Sequence, residues 1–161
     1  MDFPKSDEMR LHRSHTIRRL GLQTTLWKSE MQKKAGWLNY GDCILENRQA
    51  HGLGMNERIF LNTKGQISEG CTTNIFFIQD DKLVTPPVSS GMLPGVMRRY
   101  VIKEAGRRGV LLEEKELYPE DISKCNGCFV TNSLLGMMPA ASFGEQKFDT
   151  AKVLHFIEQI L

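Results

Sequence analysis

Gly65-Gln66-Ile67-Ser68-Glu69-Gly70-Cys71-Thr72-Thr73-Asn74 is the stretch from which fold and chemistry are read. The apolar run Ile59-Phe60-Leu61 and the turn-forming Asn62-Thr63-Lys64-Gly65 lead into it, and Asn74-Ile75-Phe76-Phe77-Ile78 resumes β-rich residues behind it. Glu69 is therefore expected in or beside a sheet. A carboxylate there, among small neutral residues and with no adjacent cation, needs a partner to offset its desolvation. Taken alone, these ten residues favour a simpler alternative, an edge-strand glutamate facing water.

Working outward, Tyr40, Cys43, Ile44, Ala50 and Leu53 suit a helix that ends at Gly52 or Gly54, where glycine accepts the left-handed stop. Strands are expected at about Glu57–Leu61 and Asn74–Ile78, and Gln79-Asp80-Asp81-Lys82 turns the chain into a third at Leu83-Val84. From Gly95 to Gly106, Val96, Tyr100, Val101 and Ala105 mark an amphipathic helix with Arg98, Arg99, Lys103 and Glu104 outside. Val110–Glu113 reads as a strand and Pro119-Glu120-Asp121-Ile122 as a short helix with proline in its first turn. Phe129-Val130-Thr131 and Met137-Met138 read as paired strands, and Thr150 to Leu161 as a closing helix with Val153, Phe156, Ile157, Ile160 and Leu161 inside. Thr24 to Lys33 suits strand or helix equally. Strands mixed with helices in this way argue an α/β or α+β layered domain.

The 161 residues, 40% of them hydrophobic and 25% charged, suffice for one domain with a real core, and a formal charge of +2 is too small to argue for nucleic acid. No apolar run reaches the length of a membrane span, and Met1-Asp2-Phe3-Pro4-Lys5-Ser6-Asp7-Glu8 lacks the charged-then-apolar order of a signal peptide, so a cytoplasmic location is expected, with no membrane partner. Cys43, Cys71, Cys125 and Cys128 fit reduced thiols there. Cys125-Asn126-Gly127-Cys128 has metal or redox spacing but no second such pair, which favours incidental thiols and no metal. Arg10, His12, Arg13, His15, Arg18 and Arg19 form a basic cluster, able to hold a phosphate but more often a solvated surface.

Three motifs in order, Glu69 in its strand, Thr85-Pro86-Pro87 followed by Ser89-Ser90-Gly91-Met92-Leu93-Pro94-Gly95-Val96-Met97-Arg98, and Thr131-Asn132-Ser133-Leu134-Leu135-Gly136 with Pro139, resemble the fold-type-IV pyridoxal-phosphate enzymes. That group holds the branched-chain and D-amino-acid aminotransferases and aminodeoxychorismate lyase, and the resemblance runs from about Lys34 to about Pro139. It implies a mixed α/β (α+β) fold, the C-terminal domain of the D-amino-acid aminotransferase-like fold. It also implies a division into a short N-terminal segment, residues 1–33, and a cofactor-binding domain, residues 34–161. The small N-terminal domain of the family is expected to be missing, with Arg13, Arg18 or Arg19 as substitutes for the arginine that it supplies.

The same resemblance implies pyridoxal 5′-phosphate as cofactor and a role for each motif. Glu69 pairs with the pyridine nitrogen, the backbone amides of Val96 and Met97 at the Gly95 helix start cradle the phosphate, and the Ser133 hydroxyl donates to the same group. Asn74 is grouped with these as a cofactor-binding residue. Met97 stands where the family often has threonine. Lys34 in Lys34-Ala35-Gly36-Trp37-Leu38-Asn39-Tyr40 is the catalytic amine, with one residue inserted relative to the aminotransferase wording and Lys33 as the alternative, and Tyr40 gives its hydroxyl to the ring oxygen. The 131–136 wording resembles the lyases, implying conversion of an amino-acid-like substrate to 4-aminobenzoate and pyruvate for folate synthesis by a homodimer. Amino transfer to a 2-oxo acid is the second expectation, and a non-catalytic dimerising domain the third.

Overall fold

The computed structural model describes the backbone of residues 20–27 and the whole of residues 48–161. The stretch left open between strand and helix is strand as far as Trp27: β1 (Leu20–Trp27) runs parallel to β2 (Glu57–Asn62), with Leu20 opposite Glu57 and Trp27 opposite Asn62. Residues 48–52 are the described part of the first helix, and of the two glycines expected to stop it Gly54 takes the left-handed conformation, at φ +71°.

β2 turns through Asn62–Gln66 into the antiparallel β3 (Ile67–Gly70). Asn62 builds this turn itself, since its Oδ1 accepts from the amides of Lys64 and Gln66, both at 3.0 Å. β3 is the edge of a five-stranded sheet completed on the other side by the short β9 (Ser142–Phe143) and β10 (Gln146–Lys147). A second sheet runs β6-β5-β4-β7-β8, from β4 (Asn74–Gln79), β5 (Lys82–Thr85), β6 (Leu112–Glu114), β7 (Gly127–Asn132) and β8 (Gly136–Pro139). Each expected strand is present, moved by at most two residues at an end. Pro119–Lys124 is a 3₁₀ helix.

Alternation along β4 and β7 sets up three layers, because neighbouring side chains on a strand face opposite ways. Ile75, Phe77, Cys128 and Val130 pack with Ile59, Ile67 and Phe143 between the two sheets. Phe76, Ile78 and Phe129 pack on the far side with two helices, α1 (Val96–Arg107) and α2 (Thr150–Ile160). The Phe76 and Phe129 rings stack at 5.1 Å across neighbouring strands, and Phe77 meets Phe143 edge-on at 5.8 Å, joining one sheet to the other. With both faces covered, β4 reads as a continuous apolar run.

Two expectations for α1 are corrected. Arg98 is 3% exposed and not on the outer face: its Nη2 donates to the Pro86 carbonyl at 2.9 Å and to Glu114 Oε2 at 2.5 Å, tying α1 to the loop after β5 and to the end of β6. Val96 lies outside the stripe and is 39% exposed, while Met97 next to it turns into the core.

Candidate functional site

Glu69 lies on the edge strand β3, as the simpler reading of its stretch had it, but its side chain is partly buried and turns to the segment before α1. Its Oε2 accepts the Leu93 amide at 3.0 Å, two residues ahead of Gly95. Burial pushes the carboxyl up to about 7; the Leu93 amide pulls the other way, and the nearby Glu57 adds repulsion. Among the described residues, Oε1 takes no hydrogen bond.

Asn74, five residues on, holds the same segment from the second sheet. Its Nδ2 donates to the Leu93 carbonyl at 2.9 Å, so Leu93 is gripped at its amide by Glu69 and at its carbonyl by Asn74. The fit extends to Gly95, where a Cβ would lie 2.2 Å from Asn74 Oδ1, and only glycine lets the two pass. The structure thus brings together Glu69 and Asn74, from one stretch, with Gly95, about twenty residues on.

Gly95 is the N-cap of α1, has no side-chain cap, and no acidic residue occupies the first turn. The first amides of a helix have no partner within it and form the positive end of its dipole, so Val96 and Met97 present an anion-binding end. The Met97 side chain is buried in the core between α1 and the sheet, which leaves its backbone amide as its only means of contact at this place.

Ser133 is exposed in the turn between β7 and β8. Asn132 shapes that turn, its Oδ1 accepting from the amides of Leu134 at 3.0 Å and Leu135 at 2.7 Å. Its Nδ2 donates to the Thr72 carbonyl at 3.3 Å, and Thr131 lies opposite Asn74 in the ladder, so the turn sits beside the loop that follows Glu69. Thr131 Oγ1 is buried and has no hydrogen-bond partner among the described residues.

Lys34, its alternative Lys33, Tyr40, Cys43 and the basic cluster with Arg13, Arg18 and Arg19 lie outside the described residues. Sequence reasoning missed Glu57 and Asn132. Glu57 is 3% exposed and takes four hydrogen bonds, three of them from the loop after Glu69; an acid opening an apolar strand was its only signal. Cys125 and Cys128 are both buried, and burial pushes the Cys125 thiol up to about 11 and that of Cys128 well above its usual value, which makes both poor nucleophiles. Among the described residues no helix is long and apolar enough to cross a membrane, and no group of three His, Cys, Asp or Glu side chains is placed to hold a metal.

Residues 10–143 match the family described as amino-transferase class IV, which depends on pyridoxal phosphate. A Rickettsia conorii protein assigned as a branched-chain-amino-acid aminotransferase is 30% identical over 144 residues, 83% of this chain and 49% of that protein. Among solved structures, a Legionella pneumophila protein assigned as a 4-amino-4-deoxychorismate lyase superposes with a TM-score of 0.79 at 26% identity, over 91% of this chain and 57% of the other. The branched-chain aminotransferase of Thermoproteus uzoniensis, solved with norvaline, superposes with a TM-score of 0.81 at 25% identity, over 92% and 51%. The chain spans about half the length of these relatives. With the family matched over most of its residues and the mixed two-sheet fold shared with these solved structures, the chain belongs to the class IV aminotransferases.

Proposed function

We propose that this chain forms the cofactor-binding part of a pyridoxal-5′-phosphate enzyme that cleaves 4-amino-4-deoxychorismate to 4-aminobenzoate and pyruvate. The observation that carries the cofactor assignment is the double grip of Glu69 and Asn74 on Leu93 at the start of α1. The residues fit the group on two counts. A carboxyl that burial holds near neutrality gains from a cationic ring nitrogen, since an opposite charge offsets desolvation. An uncapped helix start with no acid in its first turn suits a phosphate.

Bound there, pyridoxal phosphate supplies a ring that draws electron density from the substrate's α-carbon. Glu69 would accept the proton-bearing ring nitrogen at Oε1, and the amides of Val96 and Met97 with the Ser133 hydroxyl would bind the phosphate. Asn74 would keep the Leu93–Gly95 turn in place for both. Lys34 would supply the amine and carry the α-proton, and Tyr40 would donate to the ring oxygen. In this reading the protein works as a cytoplasmic homodimer in folate synthesis, on an amino-acid-like substrate.

The lyase assignment is supported by the Thr131–Gly136 hairpin wording and by likeness to the Legionella protein. The second reading, amino transfer to a 2-oxo acid, is supported by identity to the Rickettsia protein. The two separate in one assay. Protein with pyridoxal phosphate is given 4-amino-4-deoxychorismate and no 2-oxo acid, and pyruvate release is followed. Release supports the lyase; glutamate formed from leucine and 2-oxoglutarate without such release selects the transaminase; neither product overturns both.

A further inference from the structure

Glu57 opens β2 and is 3% exposed, and three of the four hydrogen bonds to its carboxylate come from one short loop. Oε1 accepts the amides of Arg58 at 3.1 Å and Cys71 at 3.0 Å; Oε2 accepts the hydroxyls of Thr72 at 3.2 Å and Thr73 at 3.1 Å. The loop closes on itself through the Gly70 amide and the Thr73 carbonyl at 2.7 Å. It is moulded to the acid at Gly70, where a Cβ would stand 2.3 Å from Thr73 Oγ1 and 3.1 Å from Glu57 Cδ. The residue immediately before that glycine is Glu69, and the residue after Thr73 is Asn74, so the loop sets the spacing between the two side chains that grip Leu93. From the far side Asn132 holds the Thr72 carbonyl at 3.3 Å.

We infer that Glu57 is a positioning residue: its buried carboxylate gathers the Gly70–Thr73 loop so that Glu69 and Asn74 meet Leu93 together. A buried carboxylate with unpaired oxygens is costly, and four donors around it make the arrangement self-consistent; removal of the acid takes the acceptor from the Thr72 and Thr73 hydroxyls and leaves the Cys71 amide only its second acceptor, the Arg58 carbonyl at 3.1 Å. The inference rests on the cofactor reading only for its consequence in catalysis; the placement of Glu69 is a property of the chain alone.

The test is amide exchange followed residue by residue by NMR in the cofactor-free protein, with cofactor titration as a separate arm. Glu57→Met keeps length and removes every acceptor. It is expected to speed exchange at Leu93 by about tenfold or more, while amides of β4 and β7 stay as they were. Glu57→Gln is expected to stay within about threefold of wild type, because its amide oxygen can take the two N–H donors and its NH₂ can donate to rotated threonine hydroxyls. If Glu57→Met does not fold, the double variant T72V/T73V, which takes away two of the four donors, decides by the same readout. Unchanged exchange at Leu93 in a folded Glu57→Met or T72V/T73V chain overturns the inference. In the titration, a cofactor dissociation constant raised about tenfold in the loop variant and rescued in Glu57→Gln is expected. Failure of the wild-type chain to bind pyridoxal phosphate counts against the proposed function and leaves the Leu93 exchange to decide the role of Glu57.

Discussion

At Glu69 the energetics have a sign that can be measured. Its folded-state carboxyl binds a proton more tightly than the unfolded one, at about 7 against 4.5. Between these values the folded chain holds the extra proton, so stability is full below pH 4.5 and is lost as pH rises through 7. The loss is of the order of 1–3 kcal/mol, solvent access to a half-buried group lowering the full conversion. In the cofactor-free protein Glu69→Gln should therefore flatten the fall in urea midpoint over that range and be the more stable protein at pH 8. The same variant with cofactor should lose about two to three orders of magnitude in turnover, since it cannot hold the ring proton. A wild-type rate in Glu69→Gln would remove the residue from the mechanism. Gly95→Ala tests the neighbouring grip: its Cβ would displace Asn74 Oδ1, at a cost of about 1–3 kcal/mol with weakened cofactor binding, read by thermal melting and titration. Glu69 and Gly95 were legible in the sequence because each sits in a motif with fixed neighbours. Glu57 was not, since its partners Cys71, Thr72 and Thr73 are brought to it by folding, and Asn132, though inside a motif and bonded locally to the 134–135 amides, meets the Thr72 carbonyl only in the fold.

The elements were read well where one periodicity dominated and less well where an element serves two neighbours. β4 and β7 were found from their apolar runs, and α2 from its stripe, with Asp149 capping it through the amides of Ala151 and Lys152. α1 was found but its faces were misread at Arg98, because a helical projection cannot show that the Pro86 carbonyl and Glu114 come to meet a charged residue on the inner side. β9 and β10, two residues each, carry no pattern of their own and exist because β1 and the hairpin turn at Gly144 hold them. Arg98→Ala should cost about 2–3 kcal/mol, as it leaves a buried carbonyl and a carboxylate unpaired. Glu114→Gln should cost well under half as much, since that side chain is 41% exposed and can turn to water. Chemical denaturation of the two variants checks the order; equal losses would mean that the ion pair, and not the Pro86 contact, does the holding.

At the scale of the molecule, the two sheets meet at Leu93: Glu69 from one sheet and Asn74 from the other hold it, two residues ahead of the α1 start at Gly95. In the proposed function the cofactor takes its amine from the segment that follows β1. Trp27 lies opposite Asn62, at the end of β2 from which the chain turns back into the strand of Glu69. Lys34 follows Trp27 by seven residues, a span of at most about 25 Å when extended. We therefore expect that borohydride reduction of the protein saturated with pyridoxal phosphate fixes the cofactor covalently, and that peptide mapping places it on Lys34. Attachment requires a neutral amine, which a site with neighbouring positive charge and partial burial provides and open water does not, so the label should be stoichiometric and confined to one lysine. A label on Lys33 would move the role by one residue. Labelling spread over many lysines, or none at saturation, would leave the third expectation standing, a domain that keeps the family's fold without its chemistry.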